Sequence, residues 1–126
     1  MVFPLFPVYV TIITLQEGAV QMLRDRGDDG AGEMILAAVG QLQFEVVEHR
    51  LKTEYGVESK WENINYEMAR WVNGGWDAID KADADGKLFG VHVAKDRWER
   101  PVLLFRNPWK VTTLNEDAEY LEMVPW

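Results

Sequence analysis

Two histidines, His49 and His92, are the side chains in this sequence best suited to acid–base or metal chemistry near neutral pH. His49 lies among charged residues of a predicted helix, and His92 lies in a predicted strand. Neither has a cysteine or an evident carboxylate arrangement beside it, as a catalytic constellation would require. We therefore interpret both histidines as structural residues. The carboxylates are spread along the chain and present no pair for general acid and base roles.

A short acidic segment resembles half of a calcium-binding loop, with Asp80, Asp83 and Asp85 before Gly86. An EF-hand places oxygen ligands at alternating positions before its glycine and a bidentate glutamate at its twelfth position. Lys81 occupies one of the ligand positions, and the twelfth position holds a histidine. The pattern therefore predicts a hydrated turn, and we expect no metal site there.

The glycine-rich segment GDDGAG, residues 27–32, is the only candidate for a phosphate-binding loop. It lacks the GxxxxGK[ST] pattern that cradles a nucleotide triphosphate, and its two aspartates would repel phosphate. We predict a simple hairpin turn. The sequence therefore indicates no catalytic, cofactor-binding or metal residue in this chain.

Composition narrows the classes of partner. The formal net charge of −8 argues against general nucleic-acid binding. The absence of cysteine excludes disulfides and thiolate chemistry, and it fits a reducing cytoplasm. Six tryptophans are many for 126 residues, and a tryptophan at a surface often marks an interface. Five cations lie close together in sequence, with two acidic residues among them. They form either a solvated mixed-charge face or a contact for a phosphate-bearing partner. The cations are Lys95, Arg97, Arg100, Arg106 and Lys110, and the acids are Asp96 and Glu99.

The N-terminal segment MVFPLFPVYVTIITL is apolar but has neither a basic leading region nor a cleavage-site pattern, and Pro4 and Pro7 interrupt it. It is also shorter than the ~20 residues needed to span a bilayer. We expect a buried strand or helix and no membrane association. Residues 8–18 remain ambiguous between the two.

In the first half, strands are predicted over 19–24 and 34–39, joined by the glycine-rich turn. A helix is predicted over 41–55 and ends before Gly56. An alternating strand is predicted over 57–66. This is the order of a split β-α-β core. The apolar stripe of the helix comprises Leu42, Phe44, Val46, Val47, Leu51 and Tyr55.

In the second half, a helical turn is predicted over 67–72, a short helix over 76–82 and strands over 88–94 and 101–106. Asn107 and Pro108 predict the start of a helix that runs to about residue 114, and 120–124 predicts a last strand. Together these elements predict one α+β domain over 1–126, with helices packed on an antiparallel sheet. Its core would be ferredoxin-like, followed by a C-terminal extension.

Residues 38–58, AVGQLQFEVVEHRLKTEYGVE, closely resemble a segment from the C-terminal domain of the bacterial peptide chain release factor 3 family, which are translational GTPases. The resemblance continues at 15–21, 69–72 and 100–107, and it covers roughly residues 14–124. The central helix is also more weakly similar to the third domain of elongation factor G. Residues 1–13 do not resemble the lead-in of the family.

The resemblance implies a non-enzymatic domain of a cytoplasmic protein. In the family, GTP and magnesium bind an N-terminal domain that a β-barrel follows, and these 126 residues match neither. The family uses GTP on the ribosome after peptide release to help remove the class I release factor. The partners implied are ribosomal small-subunit protein and RNA and the factor's own GTPase and β-barrel domains, with no DNA or membrane. Arg50 and Lys52 join Arg97, Arg100, Arg106 and Lys110 as candidate contacts.

Two alternatives remain open on the sequence alone. One is a stand-alone interaction or regulatory domain, which could form a homodimer, suggested by the tryptophans and the divergent N-terminus. The other is a small-molecule enzyme built on a ferredoxin-like sheet, which rests on analogy of fold only.

Overall fold

The computed structural model describes residues 2–3, 20–27, 34–38, 41–56 and 66–125. Its α-helices and β-strands, with antiparallel pairing, confirm the predicted α+β class. The chain divides into two compact units, Met1–Ile64 and Asn65–Trp126. That the two units form a single domain over 1–126 stays a prediction.

The first unit contains the predicted hairpin. Strand β3 (Met34–Ala38) pairs antiparallel with β2 (Val20–Asp25) and with the short β1 (Val2–Phe3). The register with β2 runs from Val20 opposite Ala38 to Arg24 opposite Met34, so the hairpin prediction is confirmed. Its turn at 28–33 and the ambiguous segment 8–18 lie outside the described residues.

Helix α1 (Gln41–Tyr55) confirms the predicted bounds. Val47 is buried and Val46 half-buried, while the helix is closed by Gly56, whose N–H donates to the Lys52 carbonyl at 3.1 Å. Gly56 has a φ of +66°, the left-handed conformation that favours glycine after a helix. The other side chains of the predicted apolar stripe lie outside the described part, and so do residues 57–65 of the strand predicted over 57–66; residue 66 is not in a strand.

The second unit is a four-stranded antiparallel sheet in the order β5-β6-β4-β7, carrying helices α2 and α3. In chain order its elements are β4 (Met68–Val72), α2 (Gly75–Ala84), β5 (His92–Lys95), β6 (Pro101–Phe105), α3 (Pro108–Asp117), a 3₁₀ helix (Glu119–Leu121) and β7 (Met123–Pro125). This βαββαβ order with strands arranged 2-3-1-4 is ferredoxin-like. The sequence placed such a core in the first half, yet the complete pattern lies in the segment predicted to be an extension.

Strand β4 corrects one prediction, because residues 67–72 were expected to form a helical turn. Its Met, Ala and Arg are helix-compatible residues, but β4 pairs with β6 on one side and β7 on the other. Pairing on both edges outweighs the local preference. Two further bounds also shift: residues 85–90 form turns before a shorter β5, and the predicted last strand begins as the 3₁₀ helix.

The core of the second unit lies between the sheet and its helices. Every residue of β6 is buried, and Leu103 and Phe105 pack with Ile79 of α2, Leu114 of α3 and Leu121 of the 3₁₀ helix. Burial of this apolar surface is the main favourable term for such a unit. In the described part of the chain, no helix combines the length and apolarity that crossing a membrane would require.

Helix α3 begins as its sequence predicts. Asn107 is its N-cap, and the Asn107 side-chain oxygen accepts a hydrogen bond from the Lys110 N–H at 3.0 Å. Pro108 occupies the first helical position, where its missing N–H leaves no helical bond unmade. This cap fixes the direction in which the chain leaves β6.

Candidate functional site

The hairpin between β5 and β6 carries two of the predicted contact residues on a well-defined loop. Five residues, 96–100, reverse the chain, and the Asp96 N–H donates to the Arg100 carbonyl at 3.0 Å. The Glu99 N–H donates to the Asp96 carbonyl at 3.0 Å, and Glu99 has a φ of +61°. Trp76 Nε1 donates to the Glu99 carbonyl at 2.8 Å, which ties the loop to α2.

A buried carboxylate holds this hairpin. Asp96 is 4% exposed, and its Oδ1 accepts from the backbone N–H groups of Trp98 and Arg100, each at 2.9 Å. Its Oδ2 accepts from Arg100 Nε at 2.7 Å and from Trp71 Nε1 at 3.2 Å. A carboxylate with four donors is well satisfied, so its burial is compatible with a folded and rigid loop.

Aromatic and guanidinium groups alternate over this loop. The Arg100 guanidinium carbon lies 5.1 Å from the ring centroid of Trp71 and 4.8 Å from that of Trp98. The Arg97 guanidinium carbon lies 4.2 Å from the centroid of Trp98, whose residue is 56% exposed. All three distances fall within the range of cation–π attraction. We call this sequence of groups, Trp71, Arg100, Trp98 and Arg97, the stacked ladder.

The cations of the hairpin differ in how far their charges are neutralised. Arg100 pairs with the Asp96 carboxylate, and Lys95 Nζ lies 3.3 Å from Glu99 Oε1. Arg97 forms no ion pair within the part of the chain that the structure describes, and its buried Nε has no hydrogen-bond partner there. The ladder therefore ends in a guanidinium whose charge no described carboxylate offsets.

Arg106 and Lys110 lie at the opposite end of β6 from the hairpin. The Arg106 guanidinium carbon is 5.3 Å from the Tyr66 ring centroid, and Lys110 belongs to the first turn of α3. Strand β6 has five residues and so spans about 16 Å. The cations that are close in sequence therefore form two separate groups, the hairpin group and this second corner.

Arg50 and Lys52 belong to the first unit, on helix α1. Arg50 makes two hydrogen bonds to Glu54, at 3.2 and 3.0 Å, and Lys52 is exposed. An i,i+4 pair of this kind contributes at most about 0.5 kcal/mol. Arg50 therefore has a local structural role, and Lys52 is accessible.

The acidic segment at the end of α2 forms the predicted turn. The Gly86 N–H donates to the Asp83 carbonyl at 3.0 Å, and Gly86 has a φ of +71°. The Tyr120 hydroxyl lies 3.4 Å from Asp85 Oδ2, and its pKa is raised from 10.0 by desolvation first and then by the charge and hydrogen bond of Asp85. Among the residues the structure describes, no cluster of three or more possible ligands could hold a metal ion.

The two histidines lie in different surroundings. His92 packs against the Tyr66 ring with the centroids 5.6 Å apart and the planes tilted by 41°. His49 is exposed on α1, where its backbone carbonyl accepts a hydrogen bond from the Thr53 hydroxyl at 2.8 Å.

Sequence reasoning found the hairpin cations but missed the residues that organise them. Asp96 was treated as an acid that dilutes a basic segment, whereas it is the buried anchor of the loop. The signal was an aspartate two residues before a tryptophan and four before an arginine, between two predicted strands. An aspartate at the start of a turn commonly accepts hydrogen bonds from backbone N–H groups that follow.

The fold and this surface together define the class of protein. The chain is an α+β domain whose β5–β6 hairpin displays alternating arginine and tryptophan side chains. The profile of the family described as "Class II release factor RF3, C-terminal domain" matches residues 12–115. The chain therefore belongs to that family.

Individual relatives extend the comparison. The chain is 51% identical over 108 residues to peptide chain release factor 3 of Synechocystis sp. and 53% identical over 108 residues to that of Microcystis aeruginosa. In each case the alignment covers 86% of this chain and 19% of the relative. The chain thus spans about a fifth of the length of these relatives.

Proposed function

We propose that this chain is the non-catalytic C-terminal domain of a peptide chain release factor 3, contributing ribosome contacts during translation termination and recycling of the class I release factor. The observation that carries the proposal is the family match over 12–115, supported by about 50% identity to relatives of that name. Similarity over 86% of the chain does not favour the stand-alone alternative.

GTP binding and hydrolysis, with magnesium, are assigned in this proposal to a domain that precedes the matched segment in a full-length factor. This chain then supplies no cofactor ligand, and it works in the cytoplasm beside its own GTPase and β-barrel domains. The relatives are about five times as long as the matched segment, which leaves room for such a domain outside it.

The contacts proposed are cations in three places, some exposed and some half-buried. These are the hairpin group of Arg97 and Arg100, the corner of Arg106 and Lys110, and Lys52 with Arg50 on α1. Cations at such positions suit ribosomal RNA phosphates, and the separation of the hairpin group from the second corner along β6 suits an extended partner surface more than a small ligand.

Co-sedimentation of the chain with 70S ribosomes tests the proposal. We expect salt-dependent binding that a triple charge reversal, Arg97→Glu with Arg106→Glu and Lys110→Glu, weakens by at least about tenfold. Arg100 is left unchanged because its guanidinium pairs with the buried Asp96. A charge reversal at Lys81, on an exposed face of α2, is the matched control.

Absence of ribosome binding by the unaltered chain, at any salt concentration tested, would overturn the proposed function. Binding that the triple reversal leaves unchanged would remove these cations as contacts while leaving the proposed function in place.

A further inference from the structure

The stacked ladder presents a surface that is both planar and cationic. Two guanidinium groups, those of Arg97 and Arg100, lie within 5 Å of the Trp98 ring centroid. Trp98 is 56% exposed, but these two cations lie at its indole, so an apolar pocket that received the ring would also have to desolvate charge. A guanidinium plane that stacks on an aromatic ring can continue the stack onto a further planar group.

The ladder is preorganised before any partner arrives. Four hydrogen bonds to the buried Asp96 fix the loop, and Arg100 is held at 2.7 Å from its carboxylate. A side chain that is already ordered loses little conformational freedom on binding, so even a small contact area gains affinity.

The chemistry that complements this surface is an anionic planar group. A nucleotide combines a base that stacks with a phosphate that binds a guanidinium in a bidentate manner. An apolar protein surface would have to desolvate the two guanidinium groups at the Trp98 ring, and an acidic peptide would use Arg97 without using the stack. The observations therefore favour RNA over protein as the partner of the hairpin.

We propose that the Arg97–Trp98 tip of the β5–β6 hairpin stacks on an unpaired ribosomal RNA base and contacts its phosphate. This inference rests on the proposed function and deepens it, because it assigns the hairpin an RNA partner and the Arg97 guanidinium a double role. The chain carries a net charge of −8, so it gains no overall attraction to phosphate and only the local cations attract RNA. Binding therefore depends on the stack as well as on charge.

Three substitutions separate stacking from charge. Arg97→Gln removes the cation, Arg97→Lys keeps the charge but loses the planar group, and Trp98→Ala removes the ring beneath it. Their dissociation constants for 70S ribosomes are measured with the full chain at several salt concentrations. Lys81→Gln controls for loss of a surface cation, and Phe89→Ala, at a residue 89% exposed in the turn before β5, controls for loss of an exposed aromatic side chain.

We expect Trp98→Ala to weaken ribosome binding between about fivefold and about a hundredfold, as the loss of one base stack does. Arg97→Gln weakens it similarly and reduces the slope of log affinity against log salt by about 0.7 to 0.9. Arg97→Lys keeps that slope but still loses affinity, and both controls stay within about twofold of the unaltered chain. Circular dichroism and thermal unfolding confirm that each variant is folded.

A photoreactive benzoylphenylalanine in place of Trp98 identifies the partner directly. The proposal predicts a cross-linked species that ribonuclease returns to nearly the electrophoretic mobility of the free chain. A cross-link to ribosomal protein, or hairpin variants that bind like the controls, would overturn the RNA contact while leaving the proposed function standing. Failure of the unaltered chain to bind ribosomes would refute both.

Discussion

At the residue scale, Asp96 decides the geometry of the hairpin. Its side chain is fully buried, whereas the Arg100 side chain that pairs with it is 54% exposed. Removing the carboxylate would leave the Trp71 indole N–H and two backbone N–H groups without their acceptor. Buried donors that lose their partner are more costly than surface ion pairs.

We predict that Asp96→Ala lowers the free energy of unfolding by about 2–4 kcal/mol, after allowance for the exposure of Arg100. Urea denaturation followed by tryptophan fluorescence measures the loss. Glu99→Gln is the matched control, because it breaks the exposed pair with Lys95 and is expected to change stability by less than about 1 kcal/mol. Equal effects of the two substitutions would show that Asp96 is not the anchor.

The residue types of the hairpin were predictable, but their arrangement was not. Arg97 and Arg100 stand out in the sequence as cations, and so do Arg106 and Lys110. Proximity in sequence suggested one patch, whereas strand β6 carries the chain about 16 Å between the two pairs. The stacking of Arg100 between two tryptophans depends on Trp71, which lies 29 positions earlier, and such a distant contact leaves no local pattern.

At the element scale, the start of α2 is packed closely against the 3₁₀ helix. The Gly74 N–H donates to the Leu121 carbonyl at 2.9 Å. A Cβ added at Gly74 would collide with the Tyr120 carbonyl oxygen and would lie 2.8 Å from Ala78 Cβ. The φ of Gly74 is −63°, so only the close approach, and not the backbone conformation, requires glycine here.

Gly74→Ala is expected to destabilise the chain by at least about 2 kcal/mol, because neighbouring backbone must shift to make room. Gly86→Ala is the control, since its site has open space and only its φ of +71° disfavours a side chain, at about 1 kcal/mol. Thermal unfolding of both variants measures the difference. A Gly74→Ala chain as stable as the Gly86→Ala chain would contradict the close packing of α2 on the 3₁₀ helix.

The sequence predicted correctly those helix ends that are set by residues at the end itself. Helix α1 has a stopping glycine, and α3 has an asparagine cap followed by proline, so both begin or end as predicted. Strand β4 was not predicted, because its identity comes from pairing with β6 and β7 on either side. Without β4 the ferredoxin-like order of the second unit could not be recognised, and that half was interpreted as an extension.

At the scale of the whole molecule, the family assignment rests on a match that spans both units. The profile covers 12–115, and residues 38–58, which carry the resemblance most densely, lie within it. Relatives that share this segment devote about a fifth of their length to it. This share agrees with the proposed function, in which the chain contributes to a larger termination factor.

An exchange of domains tests that claim most directly. The segment of the Synechocystis relative that aligns with this chain is replaced by the matching residues of this chain, and the rate at which the class I release factor leaves a termination complex is measured with GTP. The same relative without its aligned segment gives the baseline, and its GTP hydrolysis shows that the remaining domains are intact. We expect the exchanged factor to release the class I factor within about tenfold of the unaltered relative's rate, corresponding to a barrier change of at most about 1.4 kcal/mol. An exchanged factor that is folded and hydrolyses GTP, yet releases the class I factor no faster than the truncated one, would contradict the account.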